Sequence, residues 1–127
     1  TLEYLTCKVH AGMSLKELNA MGESYISSLG ARAAFKGLYG FPAGVCTSVN
    51  EVIIHGIPTD YRLKEGDIVG LDIGTEVDGW YGDSAVTIGV GEISKSDEAL
   101  IACAKDALYF AVDIIRPEMR FKNLVMR

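Results

Sequence analysis

Two aspartates, Asp72 and Asp83, close the stretch "DIGTEVDGWYGD", and a single histidine, His55, ends the apolar run "EVIIHGIP". Carboxylates brought together on one surface can hold a divalent metal, act as an acid–base pair, or simply sit in water. Which applies depends on whether the chain places Asp72 and Asp83 on the same face. Side chains alternate along a strand, so Val69, Leu71, Ile73, Thr75 and Val77 take one face while Ile68, Gly70, Asp72, Gly74 and Glu76 take the other. Asp78-Gly79 lies between two alternating runs, Asp67 to Val77 and Trp80 to Val90, and is a strong two-residue hairpin signal. With that turn, Val77 meets Trp80, Asp72 falls opposite Ala85, and Asp83 falls opposite Gly74. The acids are then diagonal neighbours on one face, with Cβ atoms roughly 7 Å apart or slightly less. An odd-length loop would separate them.

Gly70, Gly74, Gly82 and Ala85 are read as leaving that face clear of side chains. Two carboxylates so placed repel each other, and a divalent ion between them relieves the repulsion. A solvated sheet face and a metal-free catalytic pair stay open on spacing alone. His55 reads either as a hydrogen-bonder at a strand end or as a catalytic group, and His10 has no chemistry around it. No Ser, His and Asp are arranged as a nucleophile triad, and no G-x-S-x-G is present. Gly37, Gly40, Pro42 and Gly44 shape a loop, but no Lys-Ser/Thr follows them as phosphate binding would require.

The elements that position these residues are legible in outline. Ser14 and Glu17 form a capping box before a helix from about Ser14 to Leu29, whose stripe is Leu15, Leu18, Met21, Tyr25 and Leu29. Gly30 stops it. A β-branched run extends from Val45 to Ile54, and a second helix, capped by Ser94 or Ser96, ends at Pro117 with a stripe that includes Leu100, Cys103 and Ile114. Antiparallel strands between helices predict an α+β domain with helices covering one sheet face.

The chain has 127 residues, 49% hydrophobic and 23% charged, which suits one domain. A net charge of −5 without basic clusters argues against nucleic-acid or membrane-surface binding. No apolar run approaches a membrane span. Cys7, Cys46 and Cys103 are widely spaced, which fits a reducing compartment, so the expected location is the cytoplasm. Cys46 and Cys103 also read as buried small hydrophobes.

"GFPAGVCTSVNEVIIHGIP" (40 to 58) and "GDIVGLDIGTEVDGWYGDSAVTIGVG" (66 to 91) resemble the type I methionine aminopeptidases. Prolidase and aminopeptidase P share the style of the aspartate hairpin but lack the first segment. The resemblance spans about Gly12 to Arg116. It implies half of a pita-bread fold, an antiparallel curved sheet with helices on one face, and residues 1–127 as the N-terminal half of the catalytic domain. It implies Asp72 as a bidentate ligand of one metal and Asp83 as a bridge to both. The two ions would be of the Co, Mn, Fe, Zn or Ni class. His55 would hydrogen-bond the substrate near its scissile amide, and Leu38, Phe41 and Cys46 would line the methionine pocket. The substrate would be the N-terminal methionine of nascent polypeptides. Tyr81 stands where many members have His, Gly74 where some have Thr, and Glu118 where Gly usually follows Pro. The family's further ligands, one His and two Glu, are not matched here, and no His follows Asp83. Two of five ligands should hold metal weakly, so the chain alone is expected to be inactive and to self-associate through the surface that a second half would cover. The alternative is a catalytically dead pita-bread module used in binding or assembly.

Overall fold

The capping box is present and explains where the first long helix starts. Ser14 is extended, its hydroxyl accepts from the Glu17 amide at 3.2 Å, and its own amide donates to Glu17 Oε2 at 2.7 Å. Two backbone donors that would otherwise be orphaned are thereby satisfied. The computed structural model describes residues 1–120 and 122. It contains α1 (Leu2–Thr6), α2 (Leu15–Ser28), β1 (Arg32–Ala33), β2 (Val45–Val49), β3 (Ile68–Val77), β4 (Trp80–Gly89) and α3 (Lys95–Ile114).

Two compact units are formed, residues 1–93 and 94–127. In the first, β3 is the central strand. β4 takes one of its edges, with Val77 paired to Trp80, and β1 and β2 share the other. Asp78 and Gly79 both have positive φ, 52° and 82°, as the predicted two-residue turn demands. Val69, Leu71 and Ile73 of β3 are buried with Val45 and Val49 of β2 and with Leu5, Leu18 and Ile26 of the helices. α1 and α2 therefore cover that face, and the even-numbered residues of β3 lie on the other. α2 comes so close to β2 that a Cβ on Gly22 would lie 2.5 Å from Val45 Cγ2.

Three expectations shift. The line of α2 that is buried runs through Leu15, Leu18, Gly22 and Ile26, whereas Leu29 is 62% exposed and Tyr25 stacks on Tyr4. β2 stops at Val49 instead of reaching Ile54. Asn50 turns into the left-handed region (φ 52°), its Oδ1 accepts from the Ile68 amide, and Ile53 and Ile54 are left exposed. Cys103 is exposed, not buried.

The second unit is described by α3. Ser94 caps it, its hydroxyl accepting from the Asp97 amide at 3.1 Å and donating to Asp97 Oδ2 at 2.6 Å.

Candidate functional site

The hairpin register places the two acids as the spacing predicts. Asp72 pairs with Ala85 and Gly74 with Asp83, so both carboxylates lie on the face turned away from α1 and α2. On its other side Asp72 is level with Cys46 of β2. The three residues therefore form a short row across the sheet.

Their surroundings differ from the expected clearing. Gly82 pairs with Thr75 and so belongs to the opposite face. Gly74 is not beside empty space, because a Cβ there would strike the ring of Phe35. The glycine admits an aromatic wall instead of leaving a void. Gly70 does lie in ordinary contact range of its neighbours, with Ser48 and Thr87 atoms 3.6 Å from where its Cβ would be.

Asp72 is half-buried, and its Oδ1 is enclosed with no hydrogen-bond partner among the described residues. Burial, followed by the Asp83 charge, pushes its carboxyl above the ordinary range, while nearby His55 works the other way. The same causes act on the Cys46 thiol. Burial first, then the charges of Asp72 and Asp83, push it up to about 11. An acceptor-only oxygen that is enclosed, unpartnered and beside a second carboxylate is unfavourable unless a cation reaches it. Asp72 and Asp83 thus fit a divalent ion in donor chemistry and placement. Among the described residues, no group of three or more His, Cys, Asp or Glu side chains is arranged to hold a metal. The protein contribution seen here is therefore a carboxylate pair.

Beside that pair opens an apolar cleft of about 400 Å³. Leu38, Phe41, Cys46 and His55, all expected from the sequence, line it, and Phe35 and Ile57 join them. His55 itself is exposed and held in the left-handed region, φ 55°. Its placement follows from the next residue. Gly56 donates its amide to Ser48 Oγ at 3.2 Å, and its carbonyl accepts from the Thr47 amide at 2.8 Å. A Cβ on Gly56 would collide with the Thr47 carbonyl, so only glycine permits this approach. The segment between β2 and Ile57 is thus folded back onto β2, bringing His55 to the cleft. Phe35 and Ile57 were not singled out in the sequence. The available signal for Phe35 was Gly74, a missing side chain that makes room for a large one.

The wall on the other side is a tight knuckle over Leu38–Gly40, with positive φ at Gly37, Tyr39 and Gly40. Among the described residues, no helix is long and apolar enough to cross a membrane.

Comparison with known proteins gives the family. The profile of metallopeptidase family M24 matches residues 1–126. A methionine aminopeptidase of Helicobacter pylori (strain ATCC 700392 / 26695) is 59% identical over 123 residues, covering 97% of this chain and 49% of the relative. The crystal structure of methionine aminopeptidase from Rickettsia prowazekii superposes with a TM-score of 0.90 at 37% identity, covering 91% of this chain and 47% of that one. The prolidase from Pyrococcus horikoshii OT3 shares the fold, with a TM-score of 0.83 at 21% identity over 97% of this chain and 34% of its own. The chain spans about half the length of the curated relatives it matches.

Proposed function

The chain belongs to metallopeptidase family M24 and has the antiparallel sheet-and-helix architecture of the pita-bread enzymes, and from that premise we propose that it is the N-terminal half of the catalytic domain of a two-metal methionine aminopeptidase. The observation that carries the reading is the enclosed, unpartnered Oδ1 of Asp72 beside Asp83, next to an apolar cleft. The relatives named methionine aminopeptidase support the substrate.

In this reading Asp72 and Asp83 hold divalent ions, which supply Lewis-acid polarisation of a peptide carbonyl and activation of water. The cleft bounded by Leu38, Phe41 and Cys46 receives the methionine side chain. It excludes water from an apolar group and fixes the first peptide bond relative to the carboxylates. His55, at the cleft and beside Asp72, donates a hydrogen bond to substrate near that bond. The family resemblance implies five protein ligands. With two of them, this chain by itself holds metal weakly and turns over negligibly. The cytoplasm, where new polypeptides emerge, is the proposed location.

Self-association belongs to the same proposal. Among the described residues β4 pairs with β3 alone, so its outer edge offers backbone groups for pairing, and Trp80 and Tyr81 at its start are 83% and 70% exposed. Sedimentation velocity should show dimers or larger species at tens of micromolar, and a clean monomer would remove this part.

Calorimetric titration with Mn²⁺ or Co²⁺ tests the site. Binding is expected on the order of 10⁻⁴–10⁻³ M, the weak end for carboxylate sites, and to vanish in Asp72→Asn and Asp83→Asn. No binding would refute the metal reading, and tight binding would refute the two-ligand limit. Release of methionine from a Met-Ala-Ser peptide should be near background for this chain. A longer gene product that also carries the His and two Glu should give turnover. Its failure with metal bound would favour a binding module over an enzyme.

A further inference from the structure

Both ends of the cleft wall meet on one carboxylate of α2. The wall is residues 35 to 44, and its internal hydrogen bonds close on themselves. Gly37 donates to the Phe41 carbonyl at 2.8 Å, Leu38 to Phe35 at 3.0 Å, Gly40 to Gly37 at 3.2 Å, and Phe41 to Leu38 at 2.9 Å. Such a knuckle is stiff within itself but has to be fixed to the body. At its start, Lys36 Nζ donates to Glu23 Oε2. At its end, the Gly44 amide donates to Glu23 Oε1 at 2.9 Å. Asn19, one turn earlier on α2, donates to Glu23 Oε1 at 3.0 Å, while its own Oδ1 accepts from the Gly44 and Val45 amides, each at 3.0 Å.

Glu23 therefore uses its two oxygens on the two feet of one loop. The fit is close, because a Cβ on Gly44 would lie 2.6 Å from Glu23 Cγ and 2.9 Å from Ala33 Cβ. Burial alone would raise the Glu23 carboxyl, yet Lys36, Asn19 and the Gly44 amide together hold it below the ordinary range. Neither Glu23 nor Asn19 lines the cleft or touches the carboxylate pair.

We propose that Glu23 is a positioning residue for the cleft: by stapling Lys36 to Gly44 it fixes where Leu38 and Phe41 stand, and so sets which apolar side chains the cleft accepts. The identity of the preferred side chain, an unbranched one, rests on the reading of the cleft as the methionine site. Glu23 and Lys36 act on selectivity through the wall, not on the metal chemistry.

The test uses Lys36→Met, which opens the staple at an exposed side chain and leaves the Gly44 bond intact, and Lys36→Arg, which keeps it. Glu23→Ala opens both feet. Binding of methioninamide, norleucinamide, leucinamide and phenylalaninamide is measured by ligand-detected NMR, alongside melting temperature and amide exchange. Lys36→Met should melt within about 2 °C of wild type, since an exposed ion pair adds little stability. It should nevertheless bind methioninamide about tenfold more weakly and discriminate less against phenylalaninamide. Lys36→Arg should match wild type in affinity and rank order. Exchange at the Leu38, Gly40 and Phe41 amides should accelerate at least tenfold in Lys36→Met and Glu23→Ala, with β3 amides unchanged. A wild-type preference for another amide would overturn the methionine reading alone, and the staple is then judged with that amide. If none of the four binds, exchange decides. Wall amides as protected in both variants as in wild type would overturn the staple, as would an unaltered affinity and rank order.

Discussion

Asp67 and Asp72 stand five positions apart at the start and in the middle of one stretch of chain, and they have opposite surroundings. Asp67 is 7% exposed and fully partnered. Its Oδ1 accepts from Asn50 Nδ2 at 2.9 Å, and its Oδ2 accepts from the Tyr61 hydroxyl and the Lys64 amide, each at 2.9 Å. Burial pushes its pKa up, but these donors prevail and hold it below the ordinary range. Asp72 has an enclosed oxygen that nothing donates to, a second carboxylate beside it, and a pKa driven up. The first is a joint that ties the Asn50 turn and the Tyr61–Lys64 segment to the entry of β3. The second is costly to the fold and makes sense as a place for a cation. A buried acid reads as structural when its donors are in place and as functional when they are missing.

Breaking the joint should have the largest effect. Asp67→Ala strands three donors and is expected to cost about 3 kcal/mol in urea unfolding. A loss under about 1 kcal/mol would show that the partnered acid is not structural. The pH sense follows from the lowered pKa. Its stability is present above the ordinary carboxyl value near 3.9 and is lost as pH falls through the lower folded value, so Asp67→Asn should flatten that part of the acid-unfolding curve.

Filling the second site comes next. Mn²⁺ at about a hundredfold above its dissociation constant should add about 2.7 kcal/mol and raise the melting temperature of wild type but not of Asp72→Asn. Equal shifts in both would place the ion elsewhere.

Removing the repulsion without metal is a smaller effect of opposite sign. A raised carboxyl pKa favours the folded state at low pH, and that advantage is lost as pH rises from the ordinary value through the raised one. At pH 7 the ionised Asp72 therefore destabilises the metal-free fold, and Asp72→Asn should melt a few degrees higher. The gain should vanish near pH 3. A lower melting temperature at pH 7 would make Asp72 another structural acid.

Tyr61→Phe is the mildest probe. It removes one of Asp67's donors from a partly exposed ring and should cost about 1 kcal/mol or less, leaving metal binding unchanged.

The hairpin was legible because its register depends on two residues, Asp78 and Gly79, and everything about the aspartates follows by parity. The capping box at Ser14 was legible for the same local reason. What escaped depends on contacts between distant residues. β1 is two residues long and exists only because Arg32 and Ala33 meet Glu76 and Thr75, with Arg32 Nε 2.9 Å from Glu76 Oε2. The run from Val52 to Ile54 has strand composition, but Asn50 turns away to bond Ile68 and Asp67. Gly74 signalled absence of a side chain and gave no sign of which ring would fill the place. Gly82 pairs with Thr75 and lies on the opposite face from its neighbour Asp83, as strict alternation requires. At the site, the shared face of Asp72 and Asp83 was readable from spacing, whereas the cleft wall and its anchorage on α2 were not.

The position of Cys46 also sorts the thiols of the chain by reactivity. Cys7 and Cys103 are exposed, whereas Cys46 is 3% exposed with its thiol near 11. Burial and the raised pKa both keep its thiolate, the form that alkylates, scarce at neutral pH. Iodoacetamide or a maleimide should therefore modify two cysteines and spare the third, which allows dyes to be attached outside the cleft with no mutation. Cys46 labelling would then become a clock for local opening, since the thiol reacts only when β2 and its neighbours let reagent in.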